Sequence, residues 1–549
     1  MPETITWDLV LKRNSIERLK RERAPITILD HLPRLIDEGY ERMTEEDIVR
    51  LQWYGLYHDK PKTGHFMMRV KLPRGVLTPA KLRAIGQISL TYGENSGELS
   101  TRQNVQLHHI ELEELPAVFA DLKSAGLTTA GGCGDCVRNI TGCPVAGVDP
   151  DELFDCTGLI DEVAAFFFGN PDYSDLPRKH KITISTCAHQ CNASAINCIA
   201  LTGMRHEGRN GYAVKVGGGL SATPRLARDL GIFVEPHDAL PVLRAILDAW
   251  KEDPKYRMSR VKARLKFMVD DYGPDRFRDL IEQRLGRQLE HVPGPSPAPL
   301  SEHIGVHPQK QEGLSYIGFP AFLGMMNGEQ MVRLADLVEG FGGDVRVTRQ
   351  QNFVVAGVPN ARVQEVIDGV RAIGYDLNVN KIRASSIACT GEPLCNYSVA
   401  ETKSKLSSII THLEDRFDRQ VEGINVQLDG CPHACAHHWT GDIGLQGTTA
   451  RETGGQKLEA YDIYLRGGLG DNPVIGRPIL RRVLSEQTEV VVEKLVAGYL
   501  AGRQGSESFQ QFTQRHDDEA LTVMAGMTYV PPKVHLPKGG AAVAELVEA

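Results

Sequence analysis

Along the first quarter of the chain the apolar positions change period in an orderly way. Leu82, Ile85 and Ile88 recur at helical spacing, which predicts a helix with one buried stripe. The segment Leu99–Ile110 then reads as a strand, and a second helix closes at Ala125-Gly126-Leu127. The same order returns later in the chain. Met331, Leu334, Ala335 and Val338 make the stripe, Val345–Val355 reads as the strand, and the next helix closes at Ile373-Gly374-Tyr375. Thr101-Arg102-Gln103 and Thr348-Arg349-Gln350 align the two passages, with 24 residues from that Arg to the closing Gly in one and 25 in the other. A strand–helix–strand–helix unit present twice predicts two ferredoxin-like half-domains in an α+β fold.

Period-two alternation along Leu99–Ile110 places Arg102, Asn104, Gln106 and His108 on one face, a row of donors suited to a ligand rich in carboxylates. A second basic group, Leu176-Pro-Arg-Lys-His-Lys181, leads into the β-type run that starts at Ile182, with Lys179 and Lys181 on the same side. Either group could be an ordinary solvated face. The row from Arg102 has no acidic residue within it, which favours an anionic ligand there. Between the two passages Val292-Pro-Gly-Pro-Ser-Pro-Ala-Pro-Leu300 is an extended, Pro-rich linker.

The cysteines add the chemistry. Cys389 and Cys395 form C-x5-C, and Cys431 and Cys435 form C-x3-C. Four thiolates in two loop-forming pairs are what one iron–sulfur cluster needs; zinc is the alternative, though its gaps are usually two to four residues. The first half has Cys187 and Cys191 at the C-x3-C spacing, and Cys133, Cys136 and Cys143 upstream. A second cluster is conceivable there, but the upstream spacings do not reproduce C-x5-C, which favours one working site.

At 549 residues the chain exceeds a single core, and 41% hydrophobic content is that of a soluble globular protein. Met1 to Pro25 has no apolar export segment and no run is long enough to span a bilayer, so a cytoplasmic protein with reduced cysteines is expected. The net charge of −8 argues against general nucleic-acid binding.

These features resemble those of the sirohaem- and 4Fe–4S-containing nitrite/sulfite reductases of the monomeric, ferredoxin-dependent, assimilatory type. The resemblance is carried by the four cysteines with Gly430-Cys-Pro432, by Phe66–Pro73, Ser100–His108, Val137–Gly142, Leu176–Lys181 and Gly305–Lys310. It implies a pseudo-twofold duplicated reductase with two ferredoxin-like half-domains and two sirohaem- and cluster-binding α/β domains. It implies sirohaem and one 4Fe–4S cluster on Cys389, Cys395, Cys431 and Cys435, with Cys435 also bridging to the sirohaem iron. By the same resemblance Arg69, Arg138, Lys179 and Lys181 line the anion-binding face, while Arg102, Gln106, His108, Arg178 and Arg349 hold the macrocycle's carboxylates. Tyr57 and Cys133 match a pair covalently joined beside the sirohaem in some sulfite-reducing members.

The expected division is a helical arm (1–61), a first half-domain (62–128), a first sirohaem-binding domain (129–291), the linker (292–304), a second half-domain (305–376), a cluster-binding domain (377–525) and a tail (526–549). Sulfite is the expected substrate, because Lys181 stands where nitrite-reducing members typically have Asn and a dianion gains more from the extra charge. Nitrite is the alternative, favoured by the segment Val137–Gly147. A small reduced ferredoxin is the expected donor, since no Gly-rich dinucleotide fingerprint follows a strand. A cluster-bearing electron carrier without haem would leave the basic residues unexplained.

Overall fold

The computed structural model describes residues 5–187, 189, 191–451 and 455–531; the expected tail lies outside the described residues from 532 onward. Short helices between Trp7 and Leu51 form the N-terminal arm. Five strands follow: β1 (Leu56–His58), β2 (His65–Val70), β3 (Val76–Leu77), β4 (Glu98–Leu99) and β5 (Val105–Glu111). Four of them make a sheet in the order β1-β2-β5-β4, while β3 joins another sheet; β1 belongs to the first sheet rather than to the helical arm. A six-stranded sheet comes next, β11-β10-β9-β8-β7-β6. Its members are β6 (Thr141–Gly142), β7 (Ile182–Ser185), β8 (Ile199–His206), β9 (Arg209–Val216), β10 (Arg228–Val234) and β11 (Glu290–His291).

Residues 292–304 carry no helix or strand, and the pattern then repeats. Strands β12 (Gly305–Pro308), β13 (Leu314–Phe319), β14 (Asp344–Val347) and β15 (Phe353–Pro359) form a sheet that β3 joins at its edge, through Val345–Leu77 and Arg346–Val76. The last sheet is β16 (Ile387–Ala388), β17 (Val426–Asp429), β18 (Ile443–Arg451), β19 (Lys457–Leu465) and β20 (Arg477–Leu484). In both large sheets the first three strands are parallel and the rest antiparallel, β6-β7-β8-β9-β10 matching β16-β17-β18-β19-β20.

The two half-domains share one core. The helix Pro79–Tyr92 starts on Thr78, whose side chain accepts from Lys81 N, and Gly328–Glu339 starts on Asn327 in a capping box with Gln330. Their stripes, Leu82, Ile85 and Ile88 against Met331, Leu334 and Ala335, are buried in one cluster, each large side chain contributing about 1.5–3 kcal/mol. The helices cross where Gly86 meets Gly328. A Cβ on either would stand 2.7 or 2.6 Å from the other's carbonyl oxygen, so only glycine permits this approach.

The expected single strand Leu99–Ile110 is a hairpin. Ser100 N donates to Asn104 O (2.9 Å), Asn104 N donates to Ser100 Oγ (3.1 Å), and Gln103 is left-handed at φ +55°. Arg102 therefore sits in the turn and does not share a strand face with Gln106 and His108. Val345–Val355 breaks in the same way: Thr348 N donates to Asn352 O, Asn352 N to Thr348 Oγ1, and Gln351 has φ +63°. The structural equivalence is thus Ser100–Asn104 with Thr348–Asn352, one residue off the Thr-Arg-Gln alignment, and Arg102 corresponds to Gln350 rather than Arg349. Gln103 Nε2 donates across to Val347 O (3.0 Å) and Gln351 Nε2 to Leu99 O (2.9 Å), so each turn is held by the other half.

Candidate functional site

The four cysteines of the second half converge on loops at the ends of β16 and β17. Asp429 closes β17 and fixes the loop beyond it, accepting from Ala436 N (2.7 Å) and His438 N (3.1 Å) and facing His438 Nδ1 (2.8 Å). Gly430 lets this loop lie on the other one: a Cβ there would be 1.9 Å from Ser398 Oγ. Gly430 N donates to Cys389 Sγ (3.3 Å), and Val399 N to Gly430 O (3.1 Å). The thiols act on one another. Burial pushes Cys431 up to about 12, with Cys435, Asp429 and Cys395 adding to it, and burial with Asp429, Cys435 and Cys395 raises Cys389. Among the described residues, the tight groups of ligand atoms within 4.8 Å of one another lie elsewhere. A single zinc ion would need thiolate edges of about 3.8 Å, whereas a cluster binds each thiolate to a different iron and holds them further apart. The donor set fits a 4Fe–4S cluster.

Cys435 is the exposed member of the four, and it faces a basic cleft between the halves. Thr101 Oγ1, in the first hairpin turn, donates to Cys435 O (2.8 Å). Next to Thr101, Arg102 donates to Asn197 Oδ1 and to Asn139 O, both at 2.6 Å, which spreads its guanidinium across the cleft wall. Arg349 enters from the other half, with Nε on Cys191 O (3.2 Å) and Nη1 3.5 Å from His437 Nδ1. Lys181, Asn192 and Asn197 line the same space. Arg69 and Arg138 both reach the loop around Cys133. Arg69 donates to Cys133 Sγ (3.1 Å) and Gly132 O (3.3 Å), and Arg138 to Gly132 O (3.0 Å) and Gly134 O (2.8 and 3.1 Å).

No carboxylate among the described residues comes within salt-bridge distance of Arg69, Arg102, Arg138, Lys179, Lys181 or Arg349. Burial, with Arg178 nearby, pushes Lys179 down to about 7; burial, Arg102 and Lys179 push Lys181 well below the usual lysine range. Arg102 keeps a buried Nε with no partner. Gathering this much uncompensated charge costs several kcal/mol unless an anion completes it. A macrocycle edged with carboxylates fits that requirement, and sirohaem is such a group. Tyr57 stands beside Cys133: burial raises its hydroxyl and the Cys133 thiol adds to this, against Arg138 and Arg69.

Three expected cradle residues already have partners. Arg178 Nη1 donates to Asp135 (2.9 Å), a buried carboxylate also held by Lys20 and Arg260. His108 lies between Asp59 (2.7 Å) and Glu98 (3.7 Å); burial would lower it, but its bonds to these two carboxylates outweigh that and hold it up at about 9. Gln106 accepts from Arg69 Nε (2.9 Å) and Nη2 (2.7 Å) and donates to Glu98, so it positions Arg69. The sequence reading missed the residues that do this holding: Asp59, Glu98, Asp135, Asn139, Asn197 and His437. Asp135 and Asn139 lie within four residues of Cys133 or Arg138, which is the signal that could have found them. Asp59 and Asn197 had none.

Comparison with known proteins agrees with this geometry. Residues 133–289 match the family described as "Nitrite and sulphite reductase 4Fe-4S domain", and 58–125 and 307–373 each match "Nitrite/Sulfite reductase ferredoxin-like half domain". A sulfite reductase (ferredoxin) 1 from Mycolicibacterium paratuberculosis is 34% identical over 92% of this chain and 96% of its own length. A ferredoxin–nitrite reductase from Leptolyngbya laminosa is 32% identical over 89% of this chain and 98% of its own. The solved structure of Mycobacterium tuberculosis NirA protein superposes with a TM-score of 0.88 at 32% identity, covering 93% of this chain and 97% of that one. Among the described residues no helix is long and apolar enough to cross a membrane. With its duplicated half-domains, convergent cysteines and unpaired basic cleft, the chain belongs to the nitrite/sulfite reductase family and is an oxidoreductase with sirohaem and a 4Fe–4S cluster as cofactors.

Proposed function

We propose that the protein reduces sulfite to sulfide by six electrons, drawn from a small reduced ferredoxin. The observation that carries the choice of anion is Lys181, an amine in the cleft beside Arg102 and Lys179 with no acidic partner among the described residues, whose charge burial disfavours and a bound anion would restore. Sulfite as a dianion gains more from that charge than nitrite does. Arg69, Arg138, Lys179 and Lys181 hold the substrate. Arg102 and Arg349 hold macrocycle carboxylates, while Gln106, His108 and Arg178 act from behind. Cys389, Cys395, Cys431 and Cys435 would hold the cluster, with Cys435 on the side that faces the sirohaem cleft. Sirohaem and the cluster, when bound, would supply the redox chemistry, the cluster passing electrons one at a time. Lys179, placed near 7 by burial, can give a proton to a departing oxygen and recover it at neutral pH. The Tyr57 hydroxyl stands near Arg138 and Arg69, and a link to Cys133 would fix its ring. The division into arm, paired half-domains and paired cofactor domains, a cytoplasmic location and a monomeric state belong to the same reading.

The second reading is nitrite reduction to ammonium at the same site. It is supported by the relatives named for that reaction and by the Val137–Gly147 segment. Steady-state rates for both anions in wild type and Lys181→Asn separate the two. A charge-assisted contact to an ionised ligand is worth about 1.5–3 kcal/mol, so sulfite kcat/KM should fall about tenfold or more while nitrite kcat/KM holds or rises. Equal slowing of both anions removes the support for sulfite, and a wild-type preference for nitrite above tenfold ends it.

A further inference from the structure

The first α/β unit holds a second thiol group at the position related by the internal repeat to the cluster cysteines. Cys143 directly follows β6 as Cys389 directly follows β16. Cys187 is the second residue past β7 as Cys431 is past β17, and Cys191 answers to Cys435. Where Cys395 stands six residues beyond Cys389, Asp149 stands six beyond Cys143.

The two groups differ in size. Cys191 Sγ is 3.6 Å from Cys143 Sγ, and His303 Nε2 approaches both, at 3.3 Å from Cys191 and 3.8 Å from Cys143. These three ligand atoms lie within 4.8 Å of one another, as do those of Cys143, Asp149 and Cys187, and all five residues are buried. Cys187, within reach of Cys143, also acts on the Cys143 and Cys191 thiols. His303 comes from the end of the linker. It has a left-handed backbone (φ +56°), and its Nδ1 faces Ser301 Oγ at 3.5 Å, which leaves Nε2 for the thiols.

We propose that Cys143, Cys187, Cys191 and His303 bind a single zinc ion. A tetrahedral ion with metal–sulfur bonds of about 2.3 Å and a metal–nitrogen bond of about 2.0 Å has edges of about 3.5–3.8 Å; the 3.6, 3.8 and 3.3 Å among Cys143, Cys191 and His303 fit three corners of it, and the Cys187 thiol, within 4.8 Å of Cys143, takes the fourth by turning toward them. A cubane would need the sulfurs further apart. A disulfide between Cys143 and Cys191 would leave the His303 ring with no role. The ion ties the end of the linker to the first α/β unit. Through Cys191 O, which accepts from Arg349, it also stiffens the cleft wall that carries that arginine.

The test is metal analysis of the purified holoenzyme by mass spectrometry, with zinc-edge X-ray absorption. The proposal expects about one zinc per chain, bonded to sulfur at about 2.3 Å and to one imidazole nitrogen at about 2.0 Å. Cys143→Ser and His303→Ala should lower zinc about tenfold or more while iron content and the visible spectrum stay as in wild type. Wild-type absorption data decide the matter should the variants fail to fold. Zinc at background, zinc unchanged in both variants, or recovery of Cys143 and Cys191 as a disulfide would each overturn it. So would extra iron that His303→Ala removes, because that outcome identifies a second iron–sulfur cluster.

Discussion

An arginine that must hold an anion cannot be left free to swing, and Arg69 shows how this chain restrains one. Gln106 accepts two of its donors, and Gln106 in turn is held by Glu98, which also faces His108. The charged His108 therefore supports the site from behind, and its protonation should appear in stability. Its folded value of about 9 lies above the usual 6.5, so the stability it adds is complete below about 6.5 and is lost as pH rises through 9. The thermal midpoint of wild type should exceed that of His108→Gln most at pH 6, and the gap should close above pH 9. A gap independent of pH would mean that His108 is neutral in the fold. The basic residues were legible as a set because cations without nearby acids stand out. Which of them were already paired was not, because the acids come from distant segments: Asp59 for His108, and Asp135 for Arg178.

The hairpin turns set both the strengths and the limits of pattern reading at the level of elements. The stripes at Leu82 and Met331, the repeat and the cysteine loops follow from spacing. The turn at Ser100–Asn104 contains neither Gly nor Pro, and its polar residues continue the alternation of the flanking strands, so the chain reads as one strand. What makes it turn is a serine hydroxyl capping Asn104 N and a glutamine in left-handed conformation satisfied by the other half. Neither is visible in a periodicity. Corrected for this, the two copies agree better than the Thr-Arg-Gln alignment suggested, because Gln103 precedes Gly126, and Gln351 precedes Gly374, by the same 23 residues. The turn that carries Arg349 depends on Gln351 Nε2 reaching Leu99 O. Gln351→Ala leaves that buried carbonyl unpaired and should cost about 1–3 kcal/mol. If the turn positions the cofactor, sirohaem should also be lost faster on dilution, read from the decay of its visible band. Lower stability with unchanged retention would limit Gln351 to a packing role.

At the scale of the whole molecule, electrons must cross from a partner to the cysteine loops of the second half, so the surface nearest those loops is where docking counts. The loop from Glu392 to Val399 brings Cys395 to that surface, where Tyr397 is 52% and Val399 49% exposed. On one side this loop is tied to the first half, where Lys60 N donates to Leu394 O (2.8 Å), and Lys62 two residues on is exposed. On the other side Arg178 and Arg260 are close enough to act on the Tyr397 hydroxyl. An apolar footing with basic residues around it suits an acidic carrier, even on a chain of net charge −8. Val399→Glu places a like charge at the centre of that footing without touching the cleft. A penalty of about 1.4 kcal/mol raises KM for reduced ferredoxin about tenfold. The rate with a small artificial reductant such as methyl viologen should stay as in wild type, and turnover with ferredoxin should fall as salt is raised in both proteins. Equal loss with both reductants would place the damage in the cluster loop instead. An unchanged KM for ferredoxin would move the docking face elsewhere on the molecule.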